Sequence, residues 1–142
     1  MSKKLLIILS YIIIFINSNL LSNENKILKV GLLAPLSGKY AELGNSLLYS
    51  LQLALEEIDD KNLIIIPRDA GFDNEEKLKN AINDIKAQGV KVVIGPISEN
   101  GFNQAKKHSN ITFISPSNIT PEFDNNIISI GISLESQLVA LT

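Results

Sequence analysis

What most limits the fold of this chain is an alternation. Five short apolar runs recur along it, and stretches whose apolar residues return every three or four positions separate the first four. Ile27–Ala34 is almost wholly apolar and is broken by Pro35-Leu-Ser-Gly38. Leu63–Ile66 is stopped by Pro67, and Val90–Gly95 is rich in Val and Ile. Ile111–Ser115 precedes Pro116, and Ile127–Ile132 is the fifth run. Short apolar runs that do not alternate with polar residues suit strands buried on both faces, the condition of a parallel sheet.

The intervening stretches read as helices. Leu47, Leu48, Leu51, Ala54, Leu55 and Ile58 share one stripe, with Gln52, Glu56 and Glu57 between them, which predicts an amphipathic helix of about 15 residues or more. Asp73-Asn-Glu-Glu76 has the form of a capping box, with Asp73 as the N-cap. Leu78, Ala81, Ile82 and Ile85 then supply a buried face, and Gly89 a stop. Ser98 can cap a shorter helix carrying Phe102 and Ala105, and Ser133 a further one. Strands separated by helices pair in parallel through right-handed crossovers. The expected class is an α/β fold, an open doubly wound parallel sheet with strand order 2-1-3-4-5.

Residues 1–22 stand apart. Lys3 and Lys4 precede the apolar run Leu5–Ile16, whose only polar members are Ser10 and Tyr11. That run is shorter than the roughly 20 residues of a membrane-spanning helix and suits a signal peptide. The segment is expected to be a signal peptide or an uncleaved N-terminal anchor, the one route by which this chain would touch a membrane. Removing it takes the formal net charge of −2 to −4, a mildly acidic exported domain. This balance gives no general attraction for nucleic acid. With no cysteine, cysteine-ligated metal, a disulfide framework and a thiol nucleophile are excluded.

Motifs for chemistry are wanting. Gly31 and Gly38-Lys39 are spaced too widely for a phosphate loop, and Tyr40 stands where Ser or Thr is needed. No G-x-G-x-x-G follows a strand, and no G-x-S-x-G or S-x-x-K occurs. His108 is the only histidine and lies in the polar run Lys106-Lys107-His108-Ser109, which reads as a solvated helix end. Asp59-Asp60 reads the same way, and Asp69 and Asp73 as turn and cap residues. Asn110-Ile-Thr112 and Asn118-Ile-Thr120 match the glycosylation triplet by composition. The expectation is a protein with no catalytic residues, no metal and no cofactor.

Position is the remaining clue. Ligands of open parallel sheets lie beyond the carboxyl ends of the strands, near the point where the winding reverses. Ser37-Gly38, Gly95-Pro-Ile-Ser98 and Ser115-Pro-Ser-Asn118 all follow strands. Each alone suits a tight turn. Together they predict a binding edge, with Ser37, Gly38, Ser98, Ser115, Ser117 and Asn118 as ligand-binding residues. The first two segments also lead into helix N-termini, whose free N–H groups favour a carboxylate.

The same segments carry a family resemblance. Lys29-Val-Gly-Leu-Leu-Ala-Pro-Leu-Ser-Gly38, then Ala41-x-x-Gly44 and a helix, resembles the opening of the type 1 periplasmic-binding-protein fold, as in leucine/isoleucine/valine-binding proteins. Val90-Lys-Val-Val-Ile-Gly-Pro96 with Ser98, and Phe113-Ile-Ser-Pro116 with Pro121-Glu122, resemble its third and fourth strands and turns. The resemblance implies a two-lobed binding protein, with 27–132 as the first lobe and 133–142 the start of a crossover helix toward a second. Pro67-Arg-Asp-Ala-Gly71, Ile94-Gly-Pro-Ile97 and Ile130-Gly-Ile-Ser-Leu-Glu135 resemble the penicillin-binding protein activator branch more than the importers. That branch implies a periplasmic, non-catalytic regulator whose partner is a peptidoglycan synthase. The other branch implies the substrate-binding component of an ABC importer, taking a branched-chain amino acid or similar small polar solute and meeting an ABC permease. Amino-acid binders use a Thr after the fourth-strand turn to hold amine and carboxylate; here Ile119 stands there, with Thr120 one place on.

Overall fold

A computed structural model describes residues 26–119, 125–131 and 139. Five strands and three helices follow one another as β1 (Leu28–Ala34), α1 (Ala41–Ile58), β2 (Leu63–Asp69), α2 (Glu75–Ala87), β3 (Val92–Ile94), α3 (Glu99–Ala105), β4 (Thr112–Ser115) and β5 (Ile127–Ser129). The strands form one parallel sheet in the order β2-β1-β3-β4-β5, the order expected from the sequence. The signal or anchor segment and the helix expected from Ser133 lie outside the described residues. Among the described residues, no helix is long and apolar enough to cross a membrane.

Register divides the sheet into two faces. Gly31, Ile66, Val93 and Phe113 are aligned across four strands. On that face Leu33, Ile66, Val93 and Phe113 join Leu78, Ala81, Ile82 and Ile85 of α2, and Ala105 of α3, in one buried cluster. The four α2 residues are those whose spacing predicts a buried stripe. The opposite face is covered unevenly. The step from β1 to β2 runs one way along the sheet and the later steps run the other. Right-handed crossovers therefore put α1 on the opposite side from α2. Helix α1 packs against β1 and β2, where Leu32 and Ala34 are buried. Val92, Ile94 and Ile114, farther along the same face, are only half-buried.

Glycine makes the seat of α1 possible. A Cβ at Gly44 would stand 2.2 Å from the Pro35 carbonyl oxygen, so only glycine lets the first turns of the helix lie on the β1–α1 loop.

Two local expectations need correcting. Pro67 does not end the second strand: β2 continues to Asp69, and Pro67 pairs with Leu32. An edge strand has one side unpaired, so a residue without an N–H can sit there without losing a ladder bond. The N-cap of α2 is Asn74, not Asp73. The backbone of Asn74 is extended, and its side-chain oxygen accepts from the Lys77 N–H at 2.9 Å, the N3 donor that a cap is placed to satisfy.

Candidate functional site

Parallel pairing puts the loops after β1, β2, β3 and β4 at one edge of the sheet, and two cavities open there. The larger, of about 550 Å³, is lined by Leu43, Ser46, Leu47 and Ser50 of α1, by Phe72 after β2, by Ile97 after β3, and by Pro116, Ser117, Asn118 and Ile119 after β4. It lies where α1 leaves β1 toward β2 while α3 leaves β3 toward β4, the reversal at which open α/β sheets form a crevice. The smaller, of about 310 Å³, lies between the β1–α1 loop and the N-terminus of α2 and includes Ser37, Gly38, Asp73, Asn74 and Lys77. Phe72 lines both. Its ring stacks on Tyr40 with centroids 4.1 Å apart, and the Lys39 ammonium lies 5.3 Å from the centre of the Tyr40 ring.

The six residues expected to bind ligand are distributed unevenly around this edge. Ser117 and Asn118 line the larger cavity, and Ser37 and Gly38 the smaller. Ser98 and Ser115 line neither. Ser115 is fully buried; its Oγ donates to the Pro96 carbonyl at 2.7 Å and accepts from the Ser117 N–H at 3.2 Å. Ser117 Oγ accepts from the Ile119 N–H at 3.1 Å. Ser98 is the N-cap of α3, and its Oγ accepts from the Gly101 N–H at 3.2 Å. Three of the four serines expected at the site thus make hydrogen bonds within the fold, and the bond from Ser115 ties the loop after β4 to the loop after β3. One of the α3 N–H groups expected to face a carboxylate, that of Gly101, is already taken by Ser98. Replacing Ser98 by alanine is expected to cost about 1 kcal/mol of stability through loss of the cap, with a lowered urea midpoint as the readout. A loss below about 0.3 kcal/mol would show that the cap carries no weight.

Charge is confined to the smaller cavity. Asp69 Oδ1 accepts from the Leu36 and Gly71 N–H groups at 3.0 and 3.1 Å. Lys77 Nζ donates to Asp69 Oδ2 at 2.6 Å and to Ser37 Oγ at 2.8 Å. Burial pushes the Asp69 carboxyl upward, but the Lys77 ammonium, the Ser37 hydroxyl and these two amides outweigh it and hold the group well below the ordinary 3.8. Gly38 has φ of 78°, a left-handed turn suited to glycine, and its carbonyl accepts from the Ala41 N–H at 3.2 Å. His108 is remote from both cavities, because the loop from α3 to β4 lies at the amino-terminal edge of the sheet. Burial lowers its pKa, as do the nearby Lys86 and Lys107 charges. Among the described residues no three His, Cys, Asp or Glu side chains come together to hold a metal.

Leu43, Leu47 and Phe72 were not anticipated at this edge, and Ile97 only as part of its turn. Leu47 belongs to the apolar stripe of α1, which is only half-buried and ends in the exposed Ala54 and Ile58, and Leu43 lies one turn before it; Gly44 is the buried residue of this helix. Phe72 is an aromatic residue inside a Gly71-Phe72-Asp73 turn, where polar residues are the usual occupants.

The crevice of an open α/β lobe, walled by strand-end loops, defines a binding-protein lobe. Residues 27–141 match the family model described as periplasmic binding protein, and the chain belongs to that family. Solved structures of low identity share the fold. The leucine binding protein LivK of Thermotoga maritima is 16% identical, with a TM-score of 0.69, over 81% of this chain and 35% of its own. LpoA of Haemophilus influenzae is 20% identical, with a TM-score of 0.61, over 78% of this chain and 20% of its own. An ABC-transporter solute binding protein of R. palustris, solved in complex with benzoate, is 26% identical, with a TM-score of 0.54, over 63% of this chain and 27% of its own. The chain therefore spans about a third or less of these proteins and corresponds to the N-terminal lobe of a type 1 periplasmic binding protein. No curated protein sequence matches it.

Proposed function

We propose that this chain is the first lobe of a non-catalytic, extracytoplasmic regulator of the penicillin-binding protein activator kind, which acts by contact with a peptidoglycan synthase. In this reading residues 1–22 direct export, as a signal peptide or an anchor, and 133–142 begin the passage to a second lobe. One observation carries it: of the hydroxyls that would hold an amino acid's charged ends, those of Ser98 and Ser115 line neither cavity, and that of Ser117 is bonded within its own loop. Ser98, Ser115 and Ser117 bond to Gly101, Pro96 and Ile119, and Ile119 itself lines the cavity. The likeness to LpoA, a penicillin-binding protein activator, is consistent with this reading. The test is a pull-down from detergent-solubilised envelope with the purified chain joined to its second lobe, followed by a glycan-polymerisation assay. Enrichment of a peptidoglycan synthase with faster polymerisation is expected. Neither enrichment nor acceleration would overturn the proposal.

A second reading, the substrate-binding component of an ABC importer, has its own support. The 550 Å³ crevice falls within the roughly 300–1,000 Å³ of small-molecule sites, and the LivK and benzoate-bound neighbours take small solutes. A ligand at 100 times its Kd adds about 2.7 kcal/mol to stability. A melting screen over amino acids and organic acids therefore reads this function directly, and a flat response to all of them removes it.

A further inference from the structure

We propose that the crevice between α1 and the loops after β3 and β4 binds a small uncharged molecule with an apolar body, not a free amino acid. The inference rests on the second of the two readings above and narrows its substrate class. Six of the ten lining residues, Leu43, Leu47, Phe72, Ile97, Pro116 and Ile119, are apolar, and none is charged.

Each hydroxyl that interrupts this surface already makes one hydrogen bond within the protein. Ser46 Oγ donates to the Glu42 carbonyl at 2.8 Å and Ser50 Oγ to the Ser46 carbonyl at 2.9 Å. Ser117 Oγ accepts from the Ile119 N–H. An ammonium or carboxylate placed here would give up water and gain no partner of opposite charge, a cost a neutral apolar group does not meet. The exposed carboxamide of Asn118 is a neutral donor and acceptor at the rim, fit for one hydroxyl or amide of the ligand.

Charge complementarity and size select this occupant. The charged residues of this edge, Lys39, Asp73 and the ion-paired Asp69 and Lys77, lie at or beside the smaller cavity, and none of them lines the crevice. Phe72, which separates the two cavities, is held in place by its stack on Tyr40, so an aromatic face stands ready without side-chain rearrangement. The volume suits a small molecule and is too small for a folded partner.

The test is saturation-transfer NMR on the 142-residue chain with three probes: benzyl alcohol, benzoate and leucine. Transfer is expected to be strongest from benzyl alcohol, weaker from benzoate, and absent from leucine. Leu43→Asp and Ile119→Asp place a carboxylate against the probe and should each weaken the benzyl alcohol signal roughly tenfold. Both side chains are exposed, at 51% and 41%, so folding, followed by circular dichroism, should survive. Leu53→Asp, on an exposed residue outside the crevice, should leave the signal unchanged. Transfer from leucine equal to or above that from benzyl alcohol overturns the inference and leaves the receptor reading standing. A signal untouched by both crevice variants overturns the inference as well. No transfer from any probe overturns the inference, while the receptor reading is judged by the melting screen and synthase contact by its own assay.

Discussion

Truncating Phe113 to alanine is expected to lower the stability of this chain by about 3–5 kcal/mol, the cost of removing a large ring from a packed core and leaving a cavity behind. Phe113 is fully buried in β4. It is aligned with Val93 on one side and Ile127 on the other, and belongs to the cluster that joins the sheet to α2 and α3. Its neighbours sit on strands and helices held by ladders, so they cannot collapse into the space without breaking backbone hydrogen bonds. For a domain whose whole stability is roughly 5–15 kcal/mol, a large fraction would disappear. The chain has no tryptophan, so the measurement is urea unfolding followed by far-ultraviolet circular dichroism. A paired control, Leu53→Ala at a position 66% exposed, should cost under about 0.5 kcal/mol. A loss below about 1 kcal/mol for Phe113→Ala would mean that this face of the sheet is not the core.

The same residues show why so much of the fold could be read from the chain. Burial of Leu78, Ala81, Ile82 and Ile85 on α2 is a matter of periodicity, and burial of Leu33, Val93 and Phe113 of unbroken apolar runs, both local in sequence. Strand order followed because parallel strands joined by right-handed helices leave few arrangements. Pro67 misled for a tertiary reason: a proline ends a central strand but not an edge strand, and only the assembled sheet makes β2 an edge.

The binding edge was legible as a place and not as chemistry. Loops ending in Ser, Gly and Pro do line one end of the sheet, since parallel pairing brings them together. Whether a serine there is free for a ligand is decided by partners distant in sequence. Ser115 finds the Pro96 carbonyl 19 residues away, and Lys77 finds Ser37 40 residues away. Composition carries no signal of either pairing. The apolar character of the larger cavity comes from two leucines of α1, one of them in its helical stripe, and from Phe72, Ile97, Pro116 and Ile119 in loops, where no periodicity marks them. Leu43 and Leu47 become lining because no described helix covers β3 and β4 beside α1, and that is a property of packing.

Asp69 offers the second large effect, because one carboxylate ties three elements together. It holds the β1–α1 loop through the Leu36 N–H, its own turn through the Gly71 N–H, and α2 through Lys77. Asp69→Ala would leave two amides without their acceptor and is expected to cost about 2–3 kcal/mol, in the range for hydrogen bonds to charged groups. The two amide bonds should account for most of this, since Lys77 is 38% exposed and its ion pair is screened by water. The folded carboxyl is held below its ordinary 3.8. Its contribution is therefore complete above that value and lost as the pH falls through it toward the lower folded value. The unfolded chain takes up the proton first, so acid favours unfolding. Urea midpoints of the wild type should drop between about pH 5 and pH 3 by more than those of Asp69→Asn, which keeps the shape but cannot ionise. Equal acid slopes for the two proteins would show that Asp69 is not the charge that fastens these loops, and that the rim of the smaller cavity is held by its backbone turns alone.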